Sequence, residues 1–523
     1  MSTLFFVNFK KIFVGFRKRG NTICMLIFKR FQTQYVDSGN GSPPPDERPI
    51  SPDAVRAEFS DCGDFIWRET AVGRTAATAY LCWIDGTVSG QSAAEQVLRP
   101  LTDPVRFPAQ LTAAEAAALI ASGTVYGADM TRAKSMDELT RAVACGSCAL
   151  LLGQDAFLFQ CKTDQRRTVQ EPTIEKSVKG SKDAFVETLR VNTALVRSRL
   201  RTPALKLRQV TLGRKSRTEA AILWLDGVCA PDIPAEIARR LDALDVDGVI
   251  LPGVLDSALS DAPRSFFPQL IHTERPDKLA SALLDGRAAV IADGIPVAFI
   301  APAALPEFLK TSEDGSQHYI ASSFLLLLRW AAFIGTLLLP AVYVAIAMYH
   351  AEMIPTELLF SIIHSKQSVP FSTTAEILGM LLAFELLQEA GLRLPNPIGQ
   401  TVSIIGALIV GQSAVEAKVI SPIAVIVVAL AGIAGYTMPS QDMGTALRLC
   451  RFGLAAAAAL AGMFGIAVGG ALIVWRLCSI ESFGRPYAVT SRTGSQGIFV
   501  RRPPWKDLFR DIAVNGGDLR RRR

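Results

Sequence analysis

The pattern of apolar and polar residues divides the chain near residue 316. Before that point, short apolar runs alternate with polar, helix-like stretches, which is typical of a soluble α/β protein. From residue 319 to residue 478 long apolar runs dominate, and several are long enough to cross a membrane as helices. The pattern predicts an α/β soluble N-terminal region followed by an α-helical multipass membrane domain.

A duplication is visible within the soluble region. The stretch AYLCWIDG is similar to AAILWLDG, and their tryptophans, Trp83 and Trp224, lie 141 positions apart (224 − 83). A second pair of similar stretches places Gly146 and Gly286 at nearly the same spacing, 140 positions (286 − 146). Because the two spacings agree, we predict two duplicated α/β subdomains. Strands are expected near 77–84, 148–161, 219–226 and 287–301, and helices near 92–102, 112–121, 134–145, 234–245 and 277–284.

These patterns separate five regions. They are a basic and polar N-terminal extension (1–58), a first α/β subdomain (59–170), a central helix with the second subdomain (171–316), a transmembrane domain (317–478) and a basic cytoplasmic tail (479–523). Membrane spans are expected at about 324–349, 398–415, 419–438 and 452–475. The helix at 372–391 has an apolar part too short to span, which predicts an interfacial or re-entrant helix. The alternative is that it spans and the tail faces outward.

The two ends of the chain are basic. Residues 1–35 carry seven Lys and Arg and no acid, and residues 479–523 carry ten Lys and Arg against four acids. Cytoplasmic segments beside membrane spans show this excess, and they meet anionic lipids there. We therefore predict that both termini are cytoplasmic, which requires an even number of spans, and we expect membrane lipids but no nucleic acid as partners.

Few polar side chains interrupt the apolar half of the chain. Glu385 and Glu389 are four residues apart, so they share one face of the 372–391 helix. Polar groups at membrane depth either hydrogen-bond between helices or line a path for ions or solutes. Both interpretations stay open from the sequence. Our candidates for a pore or gate are Glu385, Glu389, Gln400, Gln412 and Glu416.

A cationic helix is expected between the two subdomains, near 182–199. Its charged face is either solvated or contacts another subunit, another domain or the membrane surface, and the residues alone favour neither interpretation. Our candidates for a subunit or interdomain contact are Arg190, Asn192, Arg197 and Arg199.

The nine cysteines show no spacing that is typical of a disulfide framework or a zinc site. Cys145 and Cys148 have the spacing of a redox dithiol, but the second repeat has Asp285 and Ala288 at those positions. The sequence contains no recognisable catalytic triad, phosphate-binding loop or metal-ligand cluster. We predict a protein that is not an enzyme and that uses no metal or cofactor.

Several motifs resemble one protein family. The stretches FELLQEAGLRLPNPIGQ (384–400), GQSAVEA (411–417) and SFGRPY (482–487) resemble the membrane half of GerA-type spore germination proteins, the A subunits of germinant receptors. The stretch KDAFVETLRVNTALVRSRL (182–200) is similar to the central helix of that family. The resemblance extends from about 60 to 505, and the beginning of the chain and its Arg-rich end depart from the family pattern.

The resemblance implies a receptor function. A subunits of this family work with a transporter-like B subunit and a lipoprotein C subunit in the inner membrane of a dormant spore. They assemble as homo-oligomeric rings and act as channels that a small-molecule nutrient opens to monovalent cations, although the nutrient can be bound by a partner subunit. The SpoVAF-like relatives share this architecture, so an accessory role that amplifies germination is an alternative, as is a membrane scaffold without a pore.

Overall fold

The structure is a computed structural model of the chain. It describes residues 48–125, 129–163, 171–172, 179–393, 411–488 and 496–503, together with residues 175, 177, 505, 510, 515 and 517. Nearly all of the predicted N-terminal extension, most of the predicted span at 398–415 and the candidate Gln400 lie outside the described residues.

Two antiparallel sheets with the same strand order form the α/β half. The order is β1-β2-β4-β5-β3 in the first sheet and β6-β7-β9-β10-β8 in the second. The identical order confirms the predicted duplication, and each long strand expected at 148–161 and 287–301 is a hairpin of two strands. The strands are β1 (Phe65–Ala71), β2 (Thr78–Ile84), β3 (Met130–Arg132), β4 (Cys148–Leu152), β5 (Asp155–Phe159), β6 (Leu205–Leu212), β7 (Thr218–Leu225), β8 (Ile271–Thr273), β9 (Ala288–Ala292) and β10 (Ala298–Ala301).

Helices cover both sheets, and several begin at residues that cap a helix well. Thr112 and Glu115 form a capping box, in which each side chain accepts a hydrogen bond from the other's backbone N–H. The helices are α1 (Pro52–Glu58), α2 (90–101, with a π-helical turn at Ala94–Leu98), α3 (Ala113–Ala121), α4 (Met136–Ala144), α5 (Leu189–Arg199), α6 (Asp232–Asp242), α7 (Pro252–Leu259) and α8 (Pro276–Leu284). The central helix α5 begins seven residues later (189 − 182) than the sequence predicts.

The two subdomains are joined along the edge of the second sheet. The backbone N–H of Gly63 donates to the Leu207 carbonyl at 2.6 Å, and the Leu207 N–H donates to the Asp61 carbonyl at 3.0 Å. Residues of the first subdomain therefore extend the exposed edge of β6, which protects that edge from pairing with other chains.

The C-terminal half is helical, as predicted. Its elements are α9 (Ser312–Ser316), α10 (Tyr319–Tyr349), α11 (Thr356–Lys366), α12 (Thr373–Arg393), α13 (Pro422–Tyr436), α14 (Gln441–Ser479), β11 (Glu481–Ser482), β12 (Arg485–Pro486) and α15 (Gln496–Phe499). Residues 411–416 are also helical. By length and composition, α10 and α14 are the two helices of the described chain that are long and apolar enough to cross a membrane.

Helix α14 is a hairpin of two arms. Ala461 and Gly462 leave the helical conformation, and Gly462 has a φ of +59°. A Cβ atom on Gly465 would collide with the Ala457 carbonyl oxygen, and one on Gly469 would lie 3.7 Å from Ala457 Cβ. An unbroken helix would hold residues 457 and 469 roughly 18 Å apart. The chain therefore reverses at 461–462, and we call 441–460 and 463–479 the first and second arms of the helical hairpin.

The hairpin runs beside α10 along its whole length. At one end, the Tyr349 hydroxyl donates to the Ala459 carbonyl at 2.6 Å, close to the chain reversal. At the other end, Leu326 of α10, Met443 of the first arm and Leu477 of the second arm share an apolar core with the second sheet. Both arms therefore begin or end at the α/β half, and the reversal lies at the far end of the bundle. Gly465 and Gly469 pack the two arms of the hairpin closely against each other.

Candidate functional site

A cluster of charged groups links α12 to the first arm of the helical hairpin. Arg451 Nη2 donates to Glu385 Oε1 at 2.5 Å, and Arg448 Nη1 donates to Glu385 Oε2 at 3.1 Å. Arg448 Nη1 also donates to the Gln388 Oε1 atom at 2.9 Å. Arg451 is 1% exposed in its side chain and Glu385 is 22% exposed. One carboxylate thus pairs with two guanidinium groups between α12 and the first arm.

The other described candidates for a pore or gate are exposed side chains. Glu389 is exposed, one helical turn beyond Glu385. Gln412 and Glu416 are exposed too, and Gln412 Nε2 donates to Glu416 Oε1 at 2.8 Å. Glu385 therefore makes interhelical contacts, whereas the exposed candidates present polar groups on the outside of one chain.

The central helix α5 ties the two subdomains together through buried charge. Arg197 makes two parallel hydrogen bonds to Asp64 of the first subdomain, at 2.8 and 2.7 Å. The two side chains are 1% and 5% exposed. Burial alone lowers the pKa of Arg197, but the Asp64 carboxylate outweighs it and raises the pKa. Near the start of the helix, Arg190 donates to Asp85 of the WIDG turn at 2.5 Å.

The other two candidates for a contact, Asn192 and Arg199, bind residues of the segment that precedes α5. Asn192 accepts a hydrogen bond from the Val186 N–H at 2.8 Å and donates to the Val186 carbonyl at 2.6 Å, which fixes the extended segment before α5. Arg199 donates to Asp183 at 2.5 and 2.6 Å. All four predicted residues of α5 therefore have intramolecular partners, and Arg190 and Arg197 reach the other subdomain.

A histidine that the sequence analysis did not select connects the two halves of the chain. His272 of β8 lies between Asp442, at 2.8 Å from its Nδ1, and Asp256, at 3.3 Å from its Nε2. Asp442 stands at the start of the first arm. Burial by itself lowers the pKa of His272, but the two carboxylates outweigh that effect and raise it to about 9. Because the partners are 170 positions and 16 positions (272 − 256) away, no local motif indicated this site.

The start of α10 is also fixed by charge. Arg329 donates to the two carboxylate oxygens of Asp314 in α9 at 2.6 and 3.0 Å. Trp330 Nε1 donates to the Ile498 carbonyl at 3.0 Å, so the segment around α15 packs against α10. These contacts leave little freedom between the α/β half and the first long helix.

The cysteines do not form a redox site in the described structure. Cys145 is exposed and Cys148 is buried at the start of β4, and both are free thiols. Burial raises the pKa of the Cys148 thiol, which disfavours the reactive thiolate. In the part of the chain that the structure describes, no group of three or more His, Cys, Asp or Glu residues could hold a metal ion.

Comparisons with known proteins point to one family. Residues 53–511 match the family described as Bacillus/Clostridium GerA spore germination protein. The chain is 34% identical to the "Uncharacterized membrane protein YfkQ" of Bacillus subtilis (strain 168) over 471 residues, which cover 88% of this chain and 91% of that protein. It is 34% identical to the "Spore germination protein KA" of the same organism over 472 residues, which cover 89% and 86%.

A solved structure is similar to part of the chain. It is titled the N-terminal domain of the A subunit of the Bacillus megaterium spore germinant receptor GerK3, and it matches with 24% identity and a TM-score of 0.40, covering 51% of this chain and 99% of that one. The family match covers most of the chain, and it includes both the α/β half and the helical half. This chain therefore belongs to the GerA family of spore germination proteins.

Proposed function

We propose that this chain is the A subunit of a nutrient germinant receptor in the inner membrane of a spore. The observation that carries the proposal is the family match over residues 53–511, supported by relatives that are named spore germination proteins. In this proposal the chain works with a transporter-like B subunit and a lipoprotein C subunit, and both of its termini are cytoplasmic. Nutrient binding within the complex starts the release of monovalent cations.

The contacts between the two halves support a coupled response. The α/β half is bonded to the first arm through His272 and Asp442, and it shares an apolar core with both arms. A ligand shifts a closed–open equilibrium only by its difference in affinity for the two states. Movement of the α/β half on nutrient binding would therefore be transmitted to the hairpin, and from the hairpin to α12 through Glu385 and Arg451.

The position of the exposed polar residues supports an ion path between subunits. Two arginines already pair with the Glu385 carboxylate, so this residue is better placed to hold two helices together than to face ions. Glu389, Gln412 and Glu416 are exposed in one chain, and acidic side chains in a ring favour cations. We therefore propose a homo-oligomer in which these exposed groups face the path.

The proposal can be tested in spores and in liposomes. Spores without this chain should lose potassium release in response to at least one nutrient, and the wild-type gene should restore it. The purified chain, reconstituted with its B and C subunits, should conduct K⁺ when that nutrient is added.

The outcomes separate the alternatives. A slower response to every nutrient, with none abolished, would favour the SpoVAF-like accessory role. Absence of flux in liposomes that contain all three subunits, despite a germination defect, would favour a scaffold without a pore. A double substitution of Glu389 and Glu416 by Gln should reduce the flux at unchanged protein level, and unchanged flux would contradict the ion path proposed for them.

A further inference from the structure

A second carboxylate is buried at the far end of the bundle. Glu376 lies in the first turn of α12, and its side chain is 0% exposed. The next turn of the same helix, with Ile377 and Met380, packs in an apolar core with α10, α13 and the first arm. A charge in such surroundings requires compensation, because burial of an unpaired carboxylate is strongly unfavourable.

The compensation for Glu376 is incomplete. Its Oε2 atom accepts a hydrogen bond from the backbone N–H of Ser421 at 3.0 Å, at the N-terminus of α13. The partial positive charge of a helix N-terminus favours the ionised carboxylate. The Oε1 atom, however, has no hydrogen-bond partner among the residues that the structure describes. The Lys366 ammonium lies 3.5 Å away, and it donates a hydrogen bond to the Thr373 hydroxyl instead.

Two further oxygen atoms in the same place are unsatisfied. Ser421 is fully buried, and its Oγ atom makes no hydrogen bond within the described part of the chain. The Tyr343 hydroxyl of α10 is buried close to the Ser421 side chain and to the charge of Glu376, but the two hydroxyls do not meet the geometry of a hydrogen bond, and the described residues offer Tyr343 no other partner. Buried polar atoms are rarely left unpaired unless a water, an ion or another ligand completes the site. Three helices thus bring the side chains of Glu376, Ser421 and Tyr343 close together inside the bundle.

We propose that Glu376 Oε1, Ser421 Oγ and Tyr343 Oη bind one monovalent cation. Oxygen ligands suit hard cations such as K⁺ and Na⁺. A single carboxylate supplies too little charge for a divalent ion, whose sites in proteins usually gather more acidic oxygens. Lys366 provides a tethered positive charge close to the carboxylate, and an arriving cation competes with it. The use of the site in ion release rests on the proposed function, whereas the binding itself does not.

Cation binding can be measured directly on the full chain in detergent. The melting temperature is followed while KCl replaces choline chloride at constant ionic strength, since choline is too large for an enclosed site of three oxygens. We expect K⁺ to raise the melting temperature of the wild type, because a ligand of the folded state stabilises it. The substitution Glu376→Gln should abolish this K⁺-specific increase, and the exposed Glu357→Gln at the same end of the bundle should retain it.

Two further variants keep the test decisive if Glu376→Gln fails to fold. The double substitution Ser421→Ala with Tyr343→Phe keeps the carboxylate and removes two ligands, so it should shift the K⁺ dependence severalfold to higher concentration. Lys366→Gln removes the competing charge, so it should shift that dependence severalfold to lower concentration. Equal melting temperatures in K⁺ and choline, for both the wild type and Lys366→Gln, would overturn the site.

The same experiment separates this site from the proposed function. A protein that conducts K⁺ in liposomes but shows no K⁺-specific stabilisation would overturn the site and leave the receptor function intact. A protein with K⁺-specific stabilisation that requires Glu376, but without nutrient-dependent ion release, would support the site and overturn the receptor function.

Discussion

Arg451 in the first arm of the hairpin donates a hydrogen bond of 2.5 Å to Glu385 in α12, across 66 positions of sequence. The contact converts an acid that looked free to face ions into a structural link between two helices. Arg448 shares the same carboxylate at 3.1 Å, so two positive charges depend on one negative charge. The stability of this layer of the bundle should therefore depend on Glu385.

Replacing Glu385 by Gln should destabilise the folded chain by about 3 kcal/mol, because it leaves the buried Arg451 without its counter-charge. The measurement is unfolding of the purified chain by a denaturing detergent. Glu389→Gln is the matched control, since this exposed residue lies on the same helix one turn away, and it should change stability little. Equal stability of the two variants would contradict the view that Glu385 holds α12 and the first arm together.

The hairpin predicts a cross-link that an unbroken helix cannot form. The Cβ atoms of a disulfide lie about 3.5–4.5 Å apart, and Ala457 and Gly469 offer 3.7 Å. Ala457→Cys with Gly469→Cys, in a background without Cys450 and Cys478, should form an intramolecular disulfide on mild oxidation. Labelling of the remaining free thiols measures the extent of the reaction.

A control for this cross-link lies in the next residue. A Cβ atom on Gly470 would have no atom of the described residues within 4 Å, so Ala457→Cys with Gly470→Cys should stay reduced under the same conditions. If both pairs remain reduced, or both react equally, the reversal at 461–462 is wrong.

His272 predicts a pH dependence of the joint between the two halves. Its pKa is raised from an ordinary value of 6.5 to about 9, so the folded chain binds its proton more tightly than the unfolded chain. The stabilisation is complete below pH 6.5, declines above it and is lost as the pH passes about 9. Its upper limit is about 3 kcal/mol.

Replacement of His272 by Gln should remove this dependence. The free energy of unfolding of the variant, compared with wild type between pH 6 and roughly pH 10, should differ most at the acidic end, and the difference should vanish at the alkaline end. His364→Gln alters an exposed histidine of α11 and should leave the wild-type profile in place. A constant difference across the range would show that the charge of His272 contributes nothing.

Arg197 and Asp64 should be sensitive to a conservative change. Arg197→Lys retains the charge but loses one of the two parallel hydrogen bonds to Asp64, and an ammonium is harder to bury. We expect a loss of about 2 kcal/mol for Lys and about 3–5 kcal/mol for Asp64→Ala, which leaves a buried guanidinium unpaired. Thermal unfolding of the α/β half within the full chain, followed by circular dichroism, measures both.

The exposed pair of Arg208 and Asp242 provides the comparison for this prediction. Their side chains are 52% and 58% exposed at a distance of 3.3 Å. Asp242→Ala should change stability by less than about 1 kcal/mol. If Asp64→Ala and Asp242→Ala lowered stability by similar amounts, burial would not explain the importance of the Arg197–Asp64 pair.

The duplicated α/β half follows closely from the sequence, because its signals are local. The WIDG and WLDG stretches end in left-handed glycines, Gly86 and Gly227, with φ of +77° and +75°. Hydrophobic strands precede both turns, and helices follow them, the first of which is capped by the Ser89 side chain. These features depend on residues that are close together in the chain, so they can be predicted from one sequence.

The structure of the helical half is harder to predict from the sequence, because the contacts that determine it join residues that are distant in the chain. Gly462 reverses the chain inside an apolar stretch that contains neither proline nor charge, so composition alone favours one span there. Glu376 resembles an ordinary acid in the first turn of a helix, and its burial depends on Ser421, 45 positions away. The partners of Glu385 are arginines that hydropathy places on a separate segment.

The reversal at Gly462 has a mechanical consequence. Both ends of α14 and the beginning of α10 attach to the α/β half at the same end of the bundle, and only Gln317 and His318 separate α9 from α10. A tilt of the α/β half would therefore move these three helix ends together. The largest displacement would occur at the opposite end of the bundle, where Tyr349 contacts the residues beside the chain reversal.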